Sequence, residues 1–306
     1  MIKRYIKTSI AKSIKLCYGL AIRFKLAKPS IIVMIDGGIC SQMHQYLLGV
    51  ILKQNGINVE YELEFFKNNG MDLTGTQVRN FDLIKAFPCL QLKETSKIKL
   101  LIYKLAFSHF GNYPTDRSTN WTKLKEPQLL LGYYADPENL YYPLFQEIFR
   151  LEPSKALDEN NLRIYNSIEE NDSIAVHVRR GDLAQFVIGY GHPVTLEYFV
   201  RAISLFHEKI DNAHFYFFSD DPKYVEKELI PSLHLNINYT ILSNGSDKGY
   251  MDLYLISKCK HQITSKGSLG KYGALLNPQK DKIIVVSEDD EQTFMFNLIP
   301  SKIIRL

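Results

Sequence analysis

The clearest pattern in the chain is a regular alternation of short apolar runs and longer segments of helical period in its second half. Ile174–Val178, Ala213–Phe218, Ile237–Leu242, His261–Thr264 and Lys282–Val286 read as buried strands. Between them lie Thr195–Ile210, with Thr195 as N-cap, a segment opened by Pro222 and running to about Leu229, then Tyr250–Lys258 and Leu269–Leu276, all predicted helical. Strand and helix in turn give right-handed crossovers and a parallel sheet. The first half is less regular. Ile31–Ile35 reads as a strand, Gln42 to about Asn55 as a helix closed by Gly56, Ile57–Tyr61 as a strand, and Ser96–Phe107 as a helix. Leu129–Tyr134 reads as strand and turn and Pro137–Leu151 as a helix. Residues 62–96 give no clear order, Asn112–Glu126 reads as a surface loop around Trp121, and residues 152–172 as a polar link between the halves. Asp289-Asp290-Glu291 reads as a solvated loop.

The fold class expected is therefore α/β, in two domains after a terminal segment. These are residues 1–30, an N-terminal domain over 31–160, and a Rossmann-like nucleotide-binding domain over 161–306. A chain of 306 residues, 45% hydrophobic, is long enough for two packed cores.

The terminal segment changes the reading of the charge. Residues 1–35 hold eight cations and no carboxylate, whereas the rest holds 29 basic and 33 acidic residues. The body is thus mildly acidic, which argues against a nucleic-acid face. Ile2, Ile6, Ile10 and Ile14 recur every fourth residue and continue through Cys17, Ala21 and Phe24, with lysines on the other faces. Residues 1–28 fit a cationic amphipathic helix lying on an anionic membrane surface; the alternative is a helix docked on the protein's own body. No apolar run approaches the ~20 residues of a spanning helix.

Chemistry concentrates at strand ends. His177-Val-Arg-Arg-Gly-Asp182 follows the first strand of the C-terminal domain, where open α/β sheets hold ligands. Arg179 and Arg180 offer planar forks suited to a diphosphate, and Asp182 is placed to pair with one of them. Ser219-Asp220-Asp221 ends the next strand, with Asp221 open to a helix-capping role, and Ser265–Ser268 ends a third. Asp252, on the helix before the third, suits the N1–H and exocyclic amine of guanine. In the N-terminal domain Asp36-Gly37-Gly38 ends a strand, and Ser41, Gln42 and Gln45 follow on a helix. Tyr133, Tyr134, Tyr141 and Tyr142 suit stacking on sugars or a core role. Cys17, Cys40, Cys89 and Cys259 are scattered, without metal-ligand spacing, so neither a disulfide framework nor a metal site is expected.

These residues resemble the bacterial α1,2-fucosyltransferases of O-antigen and capsule synthesis, and more distantly the α1,6-fucosyltransferases. His177-Val-Arg-Arg-Gly-Asp182 matches that family's H-x-R-R-x-D motif. Gly191–Phe199, Ser219–Pro222 and Leu131–Tyr134 have counterparts, and Gly37-Gly38, Gln42-Met43 and Gln45-Tyr46 keep part of its N-terminal pattern. Ile39-Cys40-Ser41 and Ser265–Tyr272 depart from it. The resemblance implies a GT-B-like fold, GDP-β-L-fucose as donor in the C-terminal domain, inversion at the anomeric carbon, and no cofactor or metal. It implies that Arg179 binds the β-phosphate, His177 the nucleoside, Asp252 guanine, and Ser268 and Ser265 the phosphates. Gly37, Gly38, Gln42, Arg180, Asp182 and Ser219 complete the expected substrate-binding set. Asp36 and Asp220 are the candidate general bases, Asp36 preferred. The acceptor expected is a galactoside of a surface polysaccharide, lipid-linked, which places the enzyme at the cytoplasmic face of the plasma membrane. Another nucleotide sugar on the same scaffold, or a nucleotide-binding module without catalysis, are the alternatives.

Overall fold

A computed structural model of the chain describes residues 2–71, 75, 78–110, 124–132, 142–184, 191–245, 247–290, 296, 299 and 301–306, with the backbone alone at 2–7, 110 and 182. The chain forms two compact units. Unit 1 comprises Met1–Gly70 with Leu90–Asn139, and unit 2 comprises Met71–Cys89 with Leu140–Leu306. The basic segment over residues 1–30 thus belongs to unit 1, while residues 71–89 cluster with unit 2.

Unit 1 is built on a parallel sheet of β1 (Ile31–Met34), β2 (Val59–Glu62), β3 (Ser108–Phe110) and β4 (Gln128–Leu131), in the order β2-β1-β4-β3. Helix α1 spans Ile2–Arg23, α2 spans Ile39–Gln54 and α3 spans Lys97–Ala106. Three aromatic residues tie the terminal helix down. Tyr18 stacks edge-on to Tyr103 with ring centres 5.6 Å apart, their hydroxyls meet at 3.1 Å, and Phe107 closes the cluster. The face of α1 turned inward runs through Ala11, Ile14, Tyr18 and Ile22. The expected isoleucine stripe follows that face only in part: Ile14 and Ala21 are half-buried, Ile10, Cys17 and Phe24 stand in solvent, and the side chains of Ile2 and Ile6 lie outside the described residues. The aromatic cluster overrides the four-residue period because Tyr18 finds both a ring partner and a hydrogen-bond partner.

Unit 2 carries a sheet of β5 (Ser173–Val178), β6 (His214–Ser219), β7 (Asn238–Leu242), β8 (His261–Ile263), β9 (Ile283–Val286) and β10 (Lys302–Arg305). All neighbours are parallel, in the order β10-β9-β8-β5-β6-β7. Counted from its first strand this is the doubly wound 3-2-1-4-5-6 order, so the expected Rossmann-like C-terminal half holds. Both faces are covered. Ile174, Val176 and Val178 pack with Phe199, Ile203 and Phe206 of α5 (Leu196–Lys209). Ala175, Tyr216 and Phe218 pack with Ile168 of α4 (Glu159–Glu169) and Leu255 and Ile256 of α6 (Gly249–Lys258). Each such buried aromatic or branched side chain contributes about 1.5–3 kcal/mol. Thr195 caps α5 by accepting from the Tyr198 amide. A seventh helix, α7, spans Leu269–Leu276.

The stretch read as a polar link is structured. Asp158 accepts from the Asn161 amide and starts α4, whose Ile168 joins the core. Edge strands β3 and β10, of three and four residues, carry too little apolar sequence to be seen in advance.

Candidate active site

The switch point of a doubly wound sheet is the crevice where the crossovers reverse direction. In unit 2 it lies between β5 and β8, paired through Val176 and Ile263. Most of the expected residues of this half meet there. Arg179 and Arg180 leave the end of β5, Ser219 and Asp220 the end of β6, and Ser265–Ser268 lead from β8 into α7.

The two arginines are held by carboxylates of the neighbouring strand end. Arg179 Nη1 lies 2.5 Å from Asp220 Oδ2, and the Arg180 amide donates to Asp220 Oδ1 at 2.9 Å. The Arg180 guanidinium lies flat on the Tyr224 ring, 3.6 Å from its centre, with Asp221 Oδ2 3.5 Å from Nε. Asp221 also caps the short helix Pro222–Tyr224 by accepting from the Tyr224 amide. Asp220 and Asp221 thus hold the arginines, and the side chain of Asp182, expected to pair with one of them, lies outside the described residues. Ser219 Oγ donates to the Val178 carbonyl at 2.9 Å and accepts from the Asp221 amide at 3.0 Å, locking the ends of β5 and β6 together.

Opposite these cations, Ser265 Oγ accepts from the Arg179 amide at 3.1 Å and lies 3.1 Å from His177 Nδ1. Burial first, and then the Arg179 and Lys271 cations, hold the His177 imidazole down at about 3, so the ring is neutral. Gly270 lets α7 settle on this ring. Gly267, with φ of +98°, turns the chain into Ser268 and the first turn of α7, and its Cα faces the Arg179 stem. Ser268 makes no capping bond of its own. The amide groups that open a helix carry partial positive charge and suit an anion.

Behind α7, Lys271 and Asp290 form a fully buried pair 2.6 Å apart. Asp290 is thus not part of a solvated loop. Asp289 pairs at the surface with Lys266, and Glu291 lies outside the described residues. The partner of Asp290 is a helix residue of α7, so nothing local in the sequence marks it as buried.

Asp252 sits in the first turn of α6, almost wholly buried. Asn244 donates to it at 2.7 Å, and Asn161 is paired in turn with Asn244. Burial lifts its carboxyl to about 6, against the pull of the Asn244 amides. The asparagine chain escaped the sequence reading, because Asn161 and Asn244 stand in a helix and a loop far apart in the chain.

The site residues of unit 1 occupy its own switch point, at the end of β1 next to β4. Gly37, with φ of +69°, turns the chain and Gly38 opens α2. Gln42 and Gln45, expected to face a ligand, are fully buried and hold this turn. Gln42 donates to the Gly37 carbonyl at 3.0 Å; Gln45 accepts from the Asp36 amide at 2.9 Å and donates to Asp36 Oδ1 at 2.6 Å. Burial raises the Asp36 carboxyl above its ordinary value, partly offset by Gln45. Glu62, in register with Met34 one strand over, is raised as well, chiefly by burial. Sequence reading missed it because the strand end carrying it showed no glycine or paired polar group. Of the tyrosines, Tyr133, Tyr134 and Tyr141 lie outside the described residues, and the Tyr142 hydroxyl donates to the Leu275 carbonyl at 3.2 Å. Among the described residues no cluster of three or more His, Cys, Asp or Glu is placed to hold a metal ion, and none of the four cysteines is joined in a disulfide.

Comparison with known proteins points to a family. The chain is similar to the O-antigen biosynthesis glycosyltransferase WbnK of Escherichia coli, 26% identical with 82% of this chain and 91% of that protein covered. It is similar to an Escherichia coli alpha-1,2-colitosyltransferase, 20% identical with 90% and 98% covered. Among solved structures it is similar to a family 9 glycosyl transferase from Veillonella parvula DSM 2008, at 10% identity and a TM-score of 0.46, with 90% of this chain and 87% of that one covered. The family model for glycosyl transferase family 11 matches residues 94–298, two-thirds of the sequence, including β5, β6, β8 and α7. With an α/β unit and a parallel sheet on either side of the chain's midpoint, and this match, the chain is a glycosyltransferase and belongs to glycosyl transferase family 11.

Proposed function

We propose that this glycosyltransferase moves L-fucose from GDP-β-L-fucose to a galactoside hydroxyl, in α1,2 linkage and with inversion. One observation carries the reading: Arg179 and Arg180 stand at the switch point of a 3-2-1-4-5-6 sheet, facing the turn that opens α7. That arrangement suits the diphosphate of a nucleotide sugar. As the anomeric bond to GDP breaks, charge grows on the β-phosphate. Arg179 and the first amides of α7, with Ser268, stabilise it without reorganising. His177 and Ser265 act beneath them by fixing the Arg179 backbone. Asp252, ionised above about pH 6, takes the N1–H and amine of guanine. In unit 1 Asp36 removes the proton of the attacking hydroxyl. Its raised carboxyl is a stronger base than an ordinary aspartate, and Gln45 fixes its orientation. Asp220 is the weaker candidate, since both its oxygens serve the arginines.

The acceptor, on this reading, is a lipid-linked precursor of a surface polysaccharide, handled at the cytoplasmic face of the plasma membrane. The name of the Escherichia coli relative WbnK supports the O-antigen context. The colitosyltransferase supports a second donor reading, since colitose is fucose without its 3-hydroxyl. A donor screen with GDP-fucose, GDP-colitose and UDP-galactose, followed by linkage analysis of the product, tests both. Turnover with the UDP sugar alone would remove the guanine reading and Asp252 with it.

A further inference from the structure

A second surface in unit 1 has no part in the chemistry above. Helices α1 and α3 pack on one another through Tyr18 and Tyr103, and each leaves large aliphatic side chains in solvent. On α1 these are Ile10, with Leu16 and Leu20 turned away from the docked face of Ala11, Ile14, Tyr18 and Ile22, and just beyond the helix come Phe24 and Leu26, the latter 82% exposed. On α3 they are Ile98, 77% exposed, with Leu101 and Leu105 at the third and seventh positions after it, one row along the helix. Eight of the eleven large apolar side chains exposed among the described residues belong to these two helices and the turn after α1. Single exposed leucines are ordinary; such a concentration marks a surface that meets something apolar.

Charge narrows the partner. Lys12, Lys15, Arg23, Lys25 and Lys28 are exposed on and after α1, and Lys97 on α3, while Lys104 of α3 is paired with Glu64. Neither helix carries a carboxylate. A second copy of the chain, docked through the same face, would set these cations against their own copies across a two-fold axis. Aliphatic rows also have nothing to meet on a nucleic-acid backbone. An open groove at the end of α1, lined by Ile22, Lys25, Leu26, Ala27, Lys28 and Pro29, repeats the mixture of apolar and cationic groups. No described helix is long and apolar enough to cross a membrane.

We propose that α1 and α3 together form a docking surface for an anionic lipid bilayer, lying along it rather than crossing it. The aliphatic rows enter the headgroup boundary while the lysines and Arg23 meet lipid phosphates. The surface differs from a detachable tail, since α1 is bound to the body through Tyr18 and its outward face is the one that works. It does not depend on the identity of the sugar donor.

The test is flotation of the full-length protein with vesicles of phosphatidylcholine alone and with about 30% phosphatidylglycerol. Two triple variants remove the rows separately: Leu16→Ser/Leu20→Ser/Phe24→Ser on and just beyond α1 and Ile98→Ser/Leu101→Ser/Leu105→Ser on α3. Lys12→Glu/Arg23→Glu removes charge. Thermal melts by circular dichroism check that each variant is folded, and sedimentation records self-association. Binding is expected to anionic vesicles only, to weaken with salt, and to fall about tenfold or more in every variant. Wild-type binding by the folded α3 variant would overturn the two-helix surface. Equal binding to neutral vesicles would overturn the role of the cations. A dimer that the serine variants dissolve, with no vesicle binding, would assign the face to a second copy, and salt-dependent DNA binding in its place would assign it to nucleic acid.

Discussion

Gly270 and His177 occupy one space: a Cβ on Gly270 would lie 2.8 Å from the Cβ and Cγ of the imidazole. Helix α7 therefore sits on the ring that, through Ser265, holds the Arg179 backbone. Gly270→Ala must push ring and helix apart. The expected loss is about 1–3 kcal/mol of stability, with weaker GDP binding. His177→Ala in the same chain removes the Cγ and Nδ1 contacts but keeps the Cβ one, so the double variant should recover only part of the Gly270→Ala loss beyond the sum of the single effects, as a thermal-melt cycle would show. Strict additivity would mean that the two residues do not share the space.

Arg179→Lys keeps the charge but loses the planar fork that reaches Asp220 and a phosphate together. Turnover should fall about 10²–10³-fold while circular dichroism stays that of the wild type. A lysine variant retaining most of its kcat would take the β-phosphate away from this residue.

Chelation separates charge supplied by side chains from charge supplied by a metal. With Arg179 and α7 as the cationic wall, activity after dialysis against EDTA should equal that of the untreated enzyme. Loss that Mg²⁺ or Mn²⁺ restores would give the leaving diphosphate a metal partner instead.

Asp36 must be ionised to accept a proton, and burial raises its carboxyl. The rate should thus decline as pH falls through that raised value, a limb displaced upward from an ordinary aspartate's. Asp36→Asn should lower kcat by about 10²–10⁴-fold and flatten the limb, with little change in donor KM. A normal profile in that variant, with the limb lost in Asp220→Asn, would transfer the role.

Asp252 gives a second pH dependence, separable because it lies in binding. Its carboxyl titrates at about 6 in the fold and near 3.9 in the unfolded chain, so between these values the native state holds the extra proton. Stability from this group is complete below the unfolded value and is lost as pH rises through 6, amounting to about 3 kcal/mol. Guanine needs the opposite form, so GDP affinity should fall as pH drops below about 6, up to tenfold per unit. Calorimetric titration from pH 5 to 8 reads the binding, and Asp252→Asn should abolish both dependences. An unchanged slope in the variant would place guanine elsewhere.

Local signals made much of this legible. Thr195 before a helical period gave the start of α5, and the small-residue run before Leu269 gave α7. The arginine pair was visible because charge directly after a β-branched run must leave the sheet at its end. What stayed hidden was pairing across distance. Lys271 neutralises Asp290, Asn244 and Asn161 surround Asp252, and Tyr224 carries Arg180, none of them marked by its own neighbours in sequence. Gln42 and Gln45 misled for a related reason: amides on a helix look ligand-facing until the glycine turn they hold is seen. On α1 the isoleucine period predicted a face, but Tyr18 shifted it by bonding to Tyr103.

The pairing of β5 with β8 also sets an order of assembly. Arg179 finds Asp220 41 residues later in the chain, but meets Ser265 only after 86. As the chain leaves the ribosome, both arginines can gain their carboxylates while the strand between the two halves of the sheet is still being made. The crevice then has one wall, its cations already neutralised, and no helix end to share an anion. Long-range pairing of this kind is slow to form. In chain order, then, the charged end of β5 can pair with carboxylates of its own half of the sheet before the residues that face it across the crevice have been synthesised.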